Sequence, residues 1–354
     1  NTGVIATDVT GVGTARRSLA ATGYGTDKAI FGYGYAGSHT SNFSMTNLVS
    51  NLGVVGSDVT GVGTARRDLG AARYGTDKAI FAYAYGKSSS AHVSVSNLVS
   101  NTGVIASDVT GVGTVRRDLA AAGFGDDRAI FGYGYAGSHT SNFSMTNLVS
   151  NTGVVASDVS GVGTVRRSLA AARYGTDKAI FAYGYGNSSN TVSMSNLVSN
   201  SGVVATDVSG VGTVRYGTAA AGYGNDKAIF AYGQGTSGVI SISNLVNNSG
   251  VVAADVTGVG SARNFLAAAT YGTDKALFGY GNPGSYTAVT NLVSNSGVIA
   301  TDVTGVGTIR SDLAATNYGA SKAIFGYGGN ASSAYLSMSN LVTNLGVVSA
   351  DVTG

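Results

Sequence analysis

The sequence predicts an all-β fold, a seven-bladed β-propeller of four-stranded blades, and three observations carry that prediction. The first is composition. Of 354 residues, 54 are Gly, every acidic residue is Asp, and only 11% are charged. Helix formers are scarce apart from Ala, while Gly, Ser, Thr, Val and Tyr are abundant, which favours strands joined by tight turns. The second is repetition. A Gly-Val-Gly landmark begins at Gly11, Gly61, Gly111, Gly161, Gly210, Gly258 and Gly305. A period of about 47–50 residues points to propellers or arrays. The third is alternation within each repeat, where apolar and small residues follow a period of two rather than 3.6.

Each unit reads as four strands. In the first unit these are about 16–24 (RRSLAATGY), 28–35 (KAIFGYGY), 42–50 (NFSMTNLVS) and 53–59 (GVVGSDV). Gly25-Thr26-Asp27 is a hairpin signal between the first two strands, and Asn51-Leu52-Gly53 is one between the last two. The small residues Leu19, Ala20 and Ala21 suit an innermost strand. In the second strand, alternation sends Phe31, Tyr33 and Tyr35 one way and Ile30, Gly32 and Gly34 the other. Its aromatic rings are expected to fill the space between blades. Four-stranded units repeated seven times suit a radial arrangement. A linear stack would need distinct capping repeats, and the ends are ordinary repeat sequence.

The chain thus reads as a single domain, 1–354, with blades at about 15–60, 65–110, 115–160, 165–209, 214–257, 262–304 and 309–354. Residues 1–11 (NTGVIATDVTG) are an extra copy of the fourth strand and match 344–354 (NLGVVSADVTG). Either copy could close a ring. The surplus reflects a boundary falling inside a repeat, or a strand that pairs with another subunit by β-augmentation.

The repeat resembles kelch. A kelch unit starts with Arg before a small-residue strand, here Arg16-Arg17-Ser18-Leu19. An aliphatic-aromatic strand ending in glycines follows, here Ala29-Ile30-Phe31-Gly32-Tyr33-Gly34. Asn47-Leu48-Val49 and Thr102-Gly103-Val104 match the later strands. The resemblance covers essentially the whole chain and implies a seven-bladed propeller. The kelch double glycine is replaced by Gly-Tyr-Gly or Ala-Tyr-Gly, and the usual Trp of the closing strand is missing. The near-identical AIFGYG and NLVSNTGVV segments also look like repeats of environmental bacteriophage proteins, more loosely. That likeness implies a virion component, a phage tail or surface appendage, with other virion or appendage proteins as partners.

Two columns recur in every unit. One is Arg16, Arg66, Arg116, Arg166, Arg215, Arg263 and Arg310; the other is Asp8, Asp58, Asp108, Asp158, Asp207, Asp255, Asp302 and Asp351. Each Asp except Asp351 precedes an Arg by eight residues, so the pair is read as a structural tie from one unit to the next. The functional alternative is a ring of guanidiniums near a channel mouth. The repeated Asn (Asn47, Asn97, Asn147, Asn196, Asn244, Asn291, Asn340) is expected to satisfy backbone groups. The Asp27-Lys28 turn and its copies read as solvated.

A further pair of columns is asymmetric. Arg17, Arg67, Arg117 and Arg167 accompany Tyr35, Tyr85, Tyr135 and Tyr185 in the first four units. In the last three both change, to Tyr216/Gln234, Asn264/Asn282 and Ser311/Gly329. If Tyr24 pairs with Lys28, Arg17 falls opposite Tyr35, and the register repeats in every unit. Surface stacking accounts for this; the functional reading is a one-sided patch for an anionic or glycan ligand. His39 and His139, in identical loops between the second and third strands, are added to that candidate site. That connection varies most in length, and variable loops on a fixed scaffold commonly carry binding.

The sequence also bounds function. The charge is +3 with no basic run, so no nucleic-acid partner is expected. No apolar run approaches ~18 residues, so no membrane-spanning helix is expected. Cysteine is absent, which excludes disulfides and thiolate sites. No metal, cofactor or catalytic residue is assigned: the Asp residues recur as equals, and no odd acid or base was found to break the symmetry. The expectation is a non-enzymatic structural and interaction protein, extracellular or on a virion. The alternative is an adhesin- or lectin-like module that recognises glycan or protein through the loop face.

Overall fold

The computed structural model describes residues 12–37, 41–86, 91–137, 141–187, 190–330 and 334–351. These residues form small antiparallel sheets, with no α-helix among them. The extra segment 1–11, with Asp8, lies outside the described residues, as do His39 and His139.

In each unit the second strand lies between the first and third. The first strands are Ala20–Tyr24, Gly70–Tyr74, Ala120–Phe124, Ala170–Tyr174, Ala219–Tyr223, Ala267–Tyr271 and Ala314–Tyr318. Each packs against the first strand of the next unit, and the seventh packs against the first. Ala and Gly make this approach possible. The expected fourth strand is reduced to isolated bridges, such as Val49 with Val55 and Thr46 with Val59.

Three circuits of backbone hydrogen bonds run through equivalent positions and return to their start. At one end of the first strands, Gly25 N–H donates to the Asp77 carbonyl, and the series ends with Gly319 donating to Asp27. At the other end, Asp68 N–H donates to Ser18, Asp118 to Asp68, Ser168 to Asp118, Gly217 to Ser168, Phe265 to Gly217, Asp312 to Phe265 and Ser18 to Asp312. The third circuit runs from Gly34 N–H to the Arg66 carbonyl onward, and closes from Gly328 to Arg16 at 3.0 Å.

One expectation about side-chain direction is corrected. Tyr33 does not lie on the Phe31 side. Phe31 packs against Tyr318, Ile324 and Tyr327 of the seventh unit, whereas Ile30 and Tyr33 pack against Ala79 and Phe81 of the second. The cause is a bulge. Tyr33 has φ of 66° and Gly34 has φ of 101°, so the strand breaks and the ring turns over. A Cβ at Gly34 would sit 2.8 Å from the Arg17 carbonyl oxygen, so glycine is favoured there; the second unit accepts Ala84 at the equivalent position with φ opened to 159°. The same bulge shortens most second strands to five residues, for example Lys28–Gly32.

The bulge lets each tyrosine ring receive a guanidinium from the next unit. Arg66 lies 3.9 Å over Tyr33, Arg116 4.0 Å over Tyr83, and Arg16 4.2 Å over Tyr327 of the seventh unit. All seven arginines of this column are fully buried. Arg16 also donates to the Thr14 carbonyl at 2.9 Å and to Asn47 Oδ1 at 2.6 Å. Asn47 donates to Asp58 Oδ1 at 3.0 Å, and Asp58 Oδ2 accepts from the Thr14 hydroxyl and N–H.

The Arg–Asp pairing is therefore different from the one expected. Asp58 does not tie to Arg66, eight residues ahead. It returns to Arg16 of its own unit, 3.7 Å away. The same holds for Arg66–Asp108, Arg116–Asp158, Arg166–Asp207 and Arg310–Asp351. Antiparallel pairing folds the end of each unit back onto its start, and that outweighs closeness in sequence. The tie between units is the arginine on the preceding tyrosine. Asp27 is not merely solvated either: it accepts a hydrogen bond from Asn51 at 3.0 Å.

Candidate binding site

The register read for the Arg/Tyr columns holds. Tyr24 pairs with Lys28, and Arg17 faces Tyr35. Arg67 faces Tyr85, Arg117 faces Tyr135 and Arg167 faces Tyr185. Tyr216 with Gln234, Asn264 with Asn282 and Ser311 with Gly329 complete the set.

Each arginine touches two tyrosines, its own and that of the preceding unit. Arg67 lies 4.3 Å from the Tyr35 ring and 4.8 Å from Tyr85. Arg117 lies 4.5 Å from Tyr85 and 4.9 Å from Tyr135, and Arg167 repeats the pattern between Tyr135 and Tyr185. Arg17 joins Tyr35 to Tyr335 of the seventh unit. The ladder continues without arginine, as Tyr185 meets Tyr216 edge-on at 5.1 Å and Tyr216 meets Phe265. His92 stands edge-on to Tyr85 and Tyr135. Burial lowers its pKa, with Arg117 adding to the effect and Asp68 opposing it. Among the described residues, no group of three His, Asp or Glu could hold a metal.

The ladder borders a cavity of about 570 Å3. Its base is the circuit of Ser18, Asp68, Asp118, Ser168, Gly217, Phe265 and Asp312. This column was not singled out from the sequence. The six non-glycine residues there have φ between 50° and 55°. This left-handed turn interrupts the first strand, which is why Arg17 joins Tyr35 only in a short bridge. The side chains at this column vary from unit to unit.

Its three carboxylates differ. Asp68 is held by Arg117 at 3.1 Å and Arg67 at 3.5 Å. Asp312 lies 3.8 Å from Arg17 across the junction of the first and seventh units. Asp118 has no hydrogen bond or ion pair to its carboxyl among the described residues. It opens on the cavity, with protein on its other sides. Burial pushes its pKa up to about 7; Asp68 and Asp312 add to the rise, and Arg117 and Arg167 oppose it. Burial also raises Asp312, against the pull of Arg17. Among the described residues, Nε of Arg117 is buried without a hydrogen-bond partner within bonding distance.

The wall is uneven in chemistry. Tyr135 and Arg167 stand on one side, Tyr216 and Phe265 on another, and Gly217 leaves space between. Loss of the arginines in the fifth and sixth units therefore makes an aromatic quadrant.

No protein-family model matches the chain, and no curated protein matches it. A solved structure titled "Structure of YjhT" superposes on 93% of this chain and 95% of that chain, with a TM-score of 0.57 and 11% sequence identity. At that identity the likeness concerns the fold alone.

Proposed function

We propose that the chain is a seven-bladed β-propeller that serves as a non-catalytic recognition module, with its ligand entering the mouth cavity. Seven equivalent units, a seventh first strand packed on the first, and the closing hydrogen bonds from Gly328 to Arg16 and from Gly319 to Asp27 support the propeller. The observation that carries the recognition reading is the broken column. Where the buried Arg and Asn columns and their Asp repeat in every unit, the base of the cavity reads Ser, Asp, Asp, Ser, Gly, Phe, Asp. Repetition maintains a scaffold, and departure from it within a concave polar-and-aromatic pocket is what a ligand requires.

Catalysis is the weaker reading of the same pocket. A carboxyl poised near neutrality suits proton transfer. Here Asp68 and Asp312 are already engaged by arginines, and His92 is stacked between tyrosines.

The test is a thermal-shift screen of small polar metabolites and oligosaccharides against the wild type and Ser168→Phe. Phe265 occupies the equivalent position, so the backbone accepts phenylalanine there while the ring fills the mouth. Hits lost in Ser168→Phe support the proposal; hits unaffected by it, or no hits at all, refute it.

A second reading, a structural role in an assembly, is favoured by a different feature. Val54, Val104, Val154, Val203, Val251, Val298 and Val347 are 62–66% exposed, one in each unit. Apolar residues repeated around a periphery suit self-association or packing against other proteins. Sedimentation of a variant with aspartate at all seven positions tests it, with loss of association expected. Placement on a virion rests on the sequence resemblance alone.

A further inference from the structure

We infer that the mouth cavity binds a small organic cation, an ammonium group on an apolar body, with the charge against Asp118 and the body on the Tyr216–Phe265 wall. The inference rests on the mouth being the binding site and adds the chemical class of ligand.

Three features point to a cation. The first is an unmatched negative group. Asp68 and Asp312 each have an arginine within 4 Å, and among the described residues Asp118 has none. Asp118 is half-buried at the base of the cavity; a carboxylate partly withdrawn from water without a partner is costly, and a bound cation would supply that partner. The second is the aromatic quadrant. Tyr185, Tyr216 and Phe265 meet edge-to-face, and ring faces attract ammonium groups. The third is space. Gly217 adds no side chain between Ser168 and Phe265, and the cavity holds about 570 Å3. That volume fits a body of one ring or a short alkyl chain.

Arg117 and Arg167 act against a bare cation, and their placement limits the repulsion. Both are stacked between tyrosine rings, and Arg117 is neutralised by Asp68. The groups facing Asp118 are Asp68, Arg117, Arg167, Asp312 and the Tyr135 hydroxyl. Burial, helped by Asp68 and Asp312, outweighs Arg117 and Arg167 and favours its neutral form. Asp118 must be ionised to pair with ammonium, so cation binding expels a proton and strengthens as the pH rises from about 5 to about 8.

The test is calorimetric titration with 2-phenylethylamine and its neutral analogue 2-phenylethanol. The wild type, Asp118→Asn and Ser168→Phe are compared at about pH 8, and the wild type again at about pH 5. Asn keeps the shape of Asp118 and tolerates its left-handed backbone. Expected results are amine binding to the wild type, weakening by about tenfold or more in Asp118→Asn and at the lower pH, and loss in Ser168→Phe. The alcohol should bind at least about tenfold more weakly than the amine. Equal binding of amine and alcohol, abolished by Ser168→Phe, would overturn the cation inference and leave the mouth as a site. No amine binding up to about 10 mM would likewise overturn it. Amine binding that survives in Ser168→Phe would overturn the mouth reading itself.

Discussion

Asp58 and Asp68 lie ten residues apart and have opposite circumstances. Asp58 belongs to a column that recurs in every unit. Its oxygens are filled by Thr14 and Asn47, with Arg16 behind them. Asp68 belongs to a column that is acidic in three units only, and it faces a cavity. The same contrast separates Arg16 from its neighbour Arg17. Arg16 is fully buried and joins two units, whereas Arg17 is at the rim and has counterparts in only three other units. On the proposed reading, residue type alone does not distinguish a structural from a functional group in this chain. What distinguishes them is whether the unit-to-unit repetition holds at that position.

The sharpest way to break the comparison is to damage the repeated lattice. Arg166→Ala removes a fully buried guanidinium from Asn196, Thr164, Asp207 and the Tyr133 face. A loss of about 3–5 kcal/mol is expected by urea unfolding, because the buried partners are left unmatched. A loss below about 1 kcal/mol would show that the lattice is ornamental.

Acid tests the same lattice collectively. Asp108, Asp158, Asp207, Asp255 and Asp302 have lowered pKa values. Each is raised by burial, and this is outweighed by hydrogen bonds from its Thr or Ser and Asn, with the column arginine helping. Their contribution is full above the unfolded-state value, near 3.8, and is lost as the pH falls through the lower folded-state values. Circular dichroism should therefore show cooperative unfolding only below about pH 4.

A smaller effect is expected at the rim. Arg67→Ser loses two tyrosine contacts and the Asp68 pair, yet Ser311 stands at the same position in the seventh unit. About 1–2 kcal/mol is expected in the same urea assay, clearly less than for Arg166→Ala. Equal losses would erase the distinction between the two arginine columns.

Much of the fold was legible. The Tyr24–Lys28 register, the Arg17–Tyr35 pairing and the first-strand alanines all follow from period-two patterning and turn residues. Three things were not. The reversal of Tyr33 depends on two consecutive positive-φ residues, which strand alternation does not anticipate. The partner of Asp58 is set by how the sheet folds back, so sequence proximity pointed to Arg66 instead of Arg16. The mouth carboxylates are hidden in the sequence because Asp also recurs in every unit at the structural column. Comparing the residue after Arg17 across the units would have separated Asp68, Asp118 and Asp312 from the rest.

The most direct test sets two aspartates against each other. Asp118→Asn and Asp158→Asn are the same chemical change, one in the broken column and one in the repeated column. Asp118 has a folded-state pKa of about 7, above its unfolded value. Its contribution to stability is complete below about pH 4 and is lost as the pH rises through 7. Asp158 is lowered, so its contribution is present above pH 4. Thermal unfolding at pH 8 should show Asp118→Asn melting higher than the wild type and Asp158→Asn lower by several degrees, with the gain in Asp118→Asn vanishing at pH 4. If both variants melt lower at pH 8, Asp118 is one more structural carboxylate, and the division between repeated scaffold and broken site fails.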